Sequence, residues 1–158
     1  MTSDLRLRSQ VCFALYAASR AVTAAYRPVL DRLGLTYPQY LVMLVLWERG
    51  DTTVGDLGDA LRLDSGTLSP LVKRLEAAGL VRRVRDAGDE RVVVVSLTPA
   101  GKRLRARASD VPTTVARRTG LSGRDLARLR DELTALTLGL TGSTDGELSR
   151  QPPEGDPT

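Results

Sequence analysis

The chain of 158 residues holds one cysteine, four tyrosines and no histidine. The cysteine, Cys12, stands four residues before Tyr16 in the stretch QVCFALYAASRAV. A single thiol cannot close an internal disulfide, and a reducing compartment would keep it free, so it is either packing or a reactive group. Without histidine there is no Cys-His or Ser-His-Asp pair, and a zinc site would need one cysteine helped only by carboxylates. Most hydrolytic chemistry is thereby excluded, and no metal or cofactor is expected. A phenol can still act on a thiol, because a hydrogen bond donated to the thiolate favours the charged form. On a helix Tyr16 is one turn beyond Cys12 on the same face, close enough for its hydroxyl to approach the sulfur. Tyr26 lies nearly on that face but about 21 Å further along, at about 1.5 Å per residue. It can meet a Cys12 only if the first helices of two chains pack antiparallel, which would make the site a shared one. By residue type alone, a core cysteine beside core tyrosines is the plainer reading.

The elements that must position these residues can be traced from apolar spacing and caps. One compact domain is the expected count for a chain of this length that is 42% hydrophobic and 27% charged. No apolar run suits a membrane span, and MTSDLRLRS lacks the apolar core of a signal peptide, so a cytoplasmic protein is expected. A first long helix is expected from Leu7 to Leu33, with Pro28 as a point of bending and Gly34 closing it. TYPQYLVMLVLWERG opens a second helix with Thr36 and Gln39 at capping-box spacing and Pro38 in its first turn. VGDLGDAL is a short third helix, and TLSPLVKRLEAAG a fourth, with Leu68, Leu71, Val72 and Leu75 as its apolar stripe. LVRRVRDAGDERVVVVSLT reads as a β-hairpin turning at DAGD, with arginines on both arms. Thr98 and Pro99 start a fifth helix interrupted near Pro112, and Ser122 with Asp125 caps a sixth. The polar run from Gly142 is expected to be disordered.

Two closely spaced helices followed by a basic hairpin make a winged helix-turn-helix. The expected fold is mainly α with a small β-hairpin wing, residues 1–141 forming one domain. Helices at about 5–34 and 98–141 would form a dimerisation region around a DNA-binding part at about 52–97. Charge agrees: residues 62–107 carry eleven Lys or Arg against five Asp or Glu, so a chain of net +4 is +6 here and −2 elsewhere. A basic segment of this kind is the footprint of a nucleic-acid surface, with a solvated charged face as the plainer reading. In the sixth helix Leu126, Leu129, Leu133, Leu136 and Leu140 follow a and d spacing, suiting either a monomer core or a dimer seam. A dimer would place two recognition helices about one turn of DNA apart and prefer an inverted repeat.

The segments LDSGTLSPLVKRLEAAGLVRR and DERVVVVSLTPAG resemble the MarR-type winged-helix regulators, over roughly Leu5 to Leu140. CFALYAASR together with TYPQYLVMLVLWE narrows the resemblance to the branch that senses organic hydroperoxides. The resemblance implies a homodimeric DNA-binding repressor, not an enzyme, in which Cys12 is the peroxide sensor and Tyr16, Tyr26 and Tyr37 surround it. It also implies that Asp89 and Arg91 form the wing motif, the arginine resembling a minor-groove probe that the aspartate helps hold.

On the fourth helix the face opposite the apolar stripe includes Thr67, Ser69, Lys73 and Arg74, and Ser65, Thr67, Ser69 and Pro70 lie near the end that would point at base edges and phosphates. Ser65 or Ser69 could equally be a helix cap. Arg82, Arg83 and Arg85 read as solvated strand charges or phosphate contacts. Two other functions fit less of the chain. A thiol peroxidase would leave the DNA-binding half unexplained, and a regulator controlled by a small phenolic effector would leave Cys12 structural. With one cysteine per chain, an oxidised Cys12 is expected either to condense with a small cellular thiol or to oxidise further.

Overall fold

The computed structural model describes residues 5–142, so the tail expected to be disordered lies, from residue 143, outside the described residues. Two compact units divide the chain, one through Arg118 and one from Thr119. The first begins with a single 3-10 turn, Leu7–Ser9, and helix α1, Val11–Leu30. The expected first helix therefore splits at both ends. A second 3-10 turn, Asp31–Leu33, follows α1, and Gly34 ends it at a φ of 68°, a conformation that favours glycine. Pro28 stays inside α1.

Helix α2 spans Tyr37–Arg49 and opens with the expected capping box: Thr36 Oγ1 accepts from Gln39 N and Gln39 Oε1 accepts from Thr36 N. It is apolar on more than one side and forms the centre of the core, burying Tyr40, Val42, Met43, Val45, Leu46 and Trp47. Strand β1, Thr52–Thr53, leads into α3, Val54–Leu61, which Thr53 caps by accepting from Asp56 N. Helix α4, Ser65–Ala77, buries the expected stripe of Leu68, Leu71, Val72 and Leu75 against α2 and α3.

Strands β2, Val81–Arg85, and β3, Val93–Leu97, pair antiparallel, and β1 adds to the far side of β3. The hairpin is thus a three-stranded sheet; β1 escaped the sequence because two residues carry no alternation. Arg91 and Val92 belong to the turn rather than to the second arm. Asp86 Oδ1 accepts from Gly88 N and Asp89 N, and Val92 N donates back to Asp89 O, a side-chain-nucleated turn longer than DAGD alone suggested.

Helix α5, Pro99–Arg107, is tied to what precedes it. Thr98 Oγ1 accepts from Gly101 N and donates to Gly79 O at 2.6 Å, and Trp47 Nε1 donates to Gly101 O at 3.0 Å. The expected interruption falls at residues 108–110, with Pro112 inside the first turn of α6, Val111–Thr119. The second unit contains helix α7, Gly123–Gly142, capped by Ser122, whose Oγ accepts from Asp125 N and donates to Asp125 Oδ2. Its Leu129, Leu133, Leu136 and Leu140 are exposed.

Candidate redox site and nucleic-acid interface

Helix α1 is apolar yet contributes only Val29 and Leu30 to the core, leaving Val11, Phe13, Tyr16 and Val22 exposed along with Cys12. The thiol is thus accessible in the single chain. The Tyr16 hydroxyl accepts from the next turn: Arg20 Nη1 donates to it at 3.2 Å, with the guanidinium carbon 5.6 Å from the ring centroid.

Tyr26 and Tyr37 are brought together. Their ring centroids lie 4.8 Å apart, joining the far end of α1 to the first turn of α2. Sequence reasoning missed the third member, Tyr40, 5.9 Å from Tyr26 and 6.3 Å from Trp47. Its spacing was the available signal, since Tyr40 follows Tyr37 by one turn of α2. Burial raises the pKa of all three phenols above the ordinary tyrosine value, helped at Tyr26 by Tyr37 and at Tyr40, which reaches about 12, by Tyr26 and Tyr37. They therefore stay protonated and able to donate at any physiological pH. A cleft of about 220 Å³ opens beside Tyr37, lined also by Thr23, Arg27 and Asp31. Within one chain the candidate sensor residues are thus divided: Cys12 and Tyr16 lie in the first half of α1, while Tyr26 meets Tyr37 at its far end.

In α4, Ser65, Thr67, Pro70, Lys73 and Arg74 are exposed and Ser69 is half-buried. The cap is neither serine. Asp64 accepts from Thr67 N at 2.8 Å and from Thr67 Oγ1 at 2.9 Å, bonds that hold its carboxyl below the usual carboxylate range. Ser65 and Ser69 are consequently left without capping duty.

At the wing, Arg91 stands 90% exposed, gripped from its base. Asp89 Oδ1 accepts from Arg91 N and Nε, and Oδ2 from Nη2 at 3.1 Å. These bonds lower the Asp89 pKa, so the pair is ionised at neutral pH. The three strand arginines differ from one another. Arg82 and Arg85 are exposed, whereas Arg83 pairs in register with buried Val95 and is half-buried. Glu76, in the last turn of α4, takes it: Oε1 accepts from Arg83 N at 3.0 Å and Oε2 from Nε at 2.8 Å, with Nη2 at 2.7 Å. Arg83 is therefore an internal strut, not a solvated charge. Its backbone and side-chain hydrogen bonds keep the Glu76 carboxyl ionised below the usual range.

The family model for the transcriptional regulator SarA/Rot matches residues 24–107. The organic hydroperoxide resistance transcriptional regulator of Bacillus subtilis is 48% identical over 132 residues, 84% of this chain and 90% of that protein. The chain belongs to the SarA/Rot/MarR group of winged-helix transcriptional regulators. Among solved structures, reduced AbfR bound to DNA, from Staphylococcus epidermidis, superposes with a TM-score of 0.71 at 34% identity, covering 86% of this chain and 94% of that one. A transcriptional regulator from Pseudomonas aeruginosa gives a TM-score of 0.76 at 30% identity, covering 83% and 99%. The fold is the winged helix-turn-helix of these structures, with the β2–β3 turn as its wing, and the candidate DNA-binding residues lie on α4 and on β2 and the wing turn after it.

Proposed function

We propose that the chain is a homodimeric repressor that binds an inverted-repeat operator, senses organic hydroperoxides through Cys12, and then releases DNA. The observation that carries it is the split of the sensor residues: an accessible Cys12 and a pair of protonated phenols at opposite ends of one helix. An antiparallel pair of α1 helices would bring Tyr26 and Tyr37 of one chain to Cys12 of the other while covering the exposed apolar side chains of α1. The name of the Bacillus subtilis relative supports hydroperoxide as the signal. A cytoplasmic location suits a DNA-bound regulator with a free thiol.

The Cys12 thiolate attacks one oxygen of the hydroperoxide, forming an S–O bond as the O–O bond breaks, and the alkoxide leaves as the alcohol after taking a proton. The sulfenic acid that results then condenses with a small thiol, forming a mixed disulfide and releasing water. That product, rather than sulfinic acid, is the better trigger for release, since AbfR has been solved overoxidised and still bound to DNA. A bulky polar adduct between packed α1 helices costs desolvation, and about 1.4 kcal/mol of differential affinity suffices for each tenfold loss of DNA binding.

The test is DNA release from a duplex that the wild type enriches out of a randomised pool. Cumene hydroperoxide plus a small thiol should release wild-type protein at lower concentration than hydrogen peroxide does, and should not release Cys12→Ser. Release by hydroperoxide that is unchanged in Cys12→Ser would overturn Cys12 as the sensor, and release of Cys12→Ser by a small phenol would instead favour a reversible effector.

A further inference from the structure

The pair between Glu76 and Arg83 joins two parts that would touch DNA separately. Glu76 is in the last turn of α4, and Arg83 is the third residue of β2, which continues into the wing turn carrying Arg91. A cleft of about 370 Å³ lies beside them, lined by Ser69 and Val72 of α4, Arg83 of β2, Arg91 and Val92 of the wing turn, Val93 of β3 and the segment from Thr53 to Gly55. The sheet register places Arg83 beside Val95 and Thr52, the row facing the core, so its side chain rises toward α4 rather than away from it. One carboxylate then binds both the backbone and the guanidinium of the same residue. A two-point grip of this kind restricts β2 in both translation and tilt more closely than a single ion pair would.

We propose that Glu76 is a positioning and specificity-determining residue for DNA binding: it locks the wing to the recognition helix and withholds Arg83 from phosphate. The first effect lets Arg91 and the exposed face of α4 engage one operator half-site together. The second matters because a freed arginine would bind phosphate of any sequence, raising non-specific affinity without improving the specific kind. Glu76 thus acts on the ratio of the two affinities. The proposal rests on the DNA-binding part of the function proposed above and is independent of the hydroperoxide response.

The experiment uses reduced full-length protein, the duplex enriched by the wild type and a scrambled duplex, over a series of salt concentrations. The variants are Glu76→Ala, Arg83→Met, Arg91→Ala and the double variant Glu76→Ala/Arg91→Ala. Arg91→Ala alone should cost roughly tenfold in specific affinity, and in the Glu76→Ala background roughly threefold or less, because a wing out of register has less contact to lose. Glu76→Ala should lower specific affinity while leaving the scrambled duplex bound as well as before or better. Arg83→Met should reproduce the loss of coupling with the salt slope of the wild type. Glu76→Gln keeps an acceptor for Arg83 N and carries the same comparison if Glu76→Ala does not fold by thermal denaturation. Penalties that multiply independently would overturn the proposal. So would a salt slope shallower by about 0.9 per subunit in Arg83→Met, the mark of a lost phosphate contact. A wild type that enriches no duplex overturns the DNA-binding reading itself and this proposal with it; a wild type that enriches one but ignores hydroperoxide overturns only the sensor.

Discussion

Removing one oxygen atom separates the roles of the tyrosines. Tyr26→Phe and Tyr37→Phe keep the rings 4.8 Å apart and delete only donors, so the fold should persist while oxidation of Cys12 slows. Following Cys12 modification by intact mass after one equivalent of hydroperoxide measures this directly, and a wild-type rate in both variants would show that the hydroxyls do not serve the thiol. Tyr16→Phe should slow Cys12 oxidation as well, because the Tyr16 hydroxyl only accepts from Arg20 and keeps its own proton to donate. At the wing, the grip on Arg91 is electrostatic and its pH dependence has a definite sign. The Asp89 pKa is lowered, so the pair is complete above the ordinary carboxylate value of about 4 and is lost only as the pH falls through the lowered one. Asp89→Asn should therefore weaken operator binding to a similar degree across pH 5–8, while the wild type shows no change of affinity traceable to this pair over that range.

Within the elements, the junction between the sheet and α5 is the sharpest point of structural constraint. A Cβ at Gly101 would run into the carbonyl oxygen of Leu80. Since that oxygen belongs to backbone leading into β2, it cannot swing aside, and Gly101→Ala should destabilise the protein by about 2–3 kcal/mol in denaturant unfolding. Thr98→Ala at the same junction removes the α5 cap and the bond to Gly79 O but introduces no clash, so about 1 kcal/mol is expected. If Gly101→Ala proved the milder of the two, close approach of α5 to the strand would not be what requires glycine there. The exposed leucines of α7 belong to this scale as well. Leu129, Leu133, Leu136 and Leu140 recur at three and four residues and are exposed, the spacing of a and d positions in a coiled coil.

For the whole molecule, the proposed shared sensor makes a prediction that no single chain can satisfy. Mixing Tyr26→Phe chains with Cys12→Ser chains yields heterodimers in which the sole Cys12 faces the altered tyrosine of neither or one of its neighbours, according to whether the contact is across chains or within one. In the cross-chain case Cys12 of the Tyr26→Phe chain meets the intact Tyr26 of its partner and should oxidise at the wild-type rate. In the within-chain case it should oxidise as slowly as in the Tyr26→Phe homodimer. The basic segment gives a second expectation: operator affinity should fall steeply with salt, by about 0.9 logarithmic units per decade for each phosphate neutralised. A flat dependence would leave residues 62–107 as a solvated charged surface.

Much of this protein was determined by local sequence. The capping box at Thr36 and Gln39, the buried stripe of α4 and the helix start at Thr98 each depend on residues within a turn of one another, and apolar period and cap chemistry are local signals. The candidate sensor was not: a lone cysteine near phenols reads as packing by residue type, and only the resemblance to hydroperoxide-sensing regulators singles Cys12 out. What tertiary structure decided involves partners distant in the chain. Tyr40 joins Tyr26 only because α1 folds back on α2, and β1 is a strand only because β3 lies beside it. Arg82, Arg83 and Arg85 look alike in sequence; strand alternation and the arrival of Glu76 from the end of α4 make one of them a strut and leave the others to solvent. Composition counts charges without regard to pairing, whereas a folded chain assigns each charge a neighbour, and with it a role.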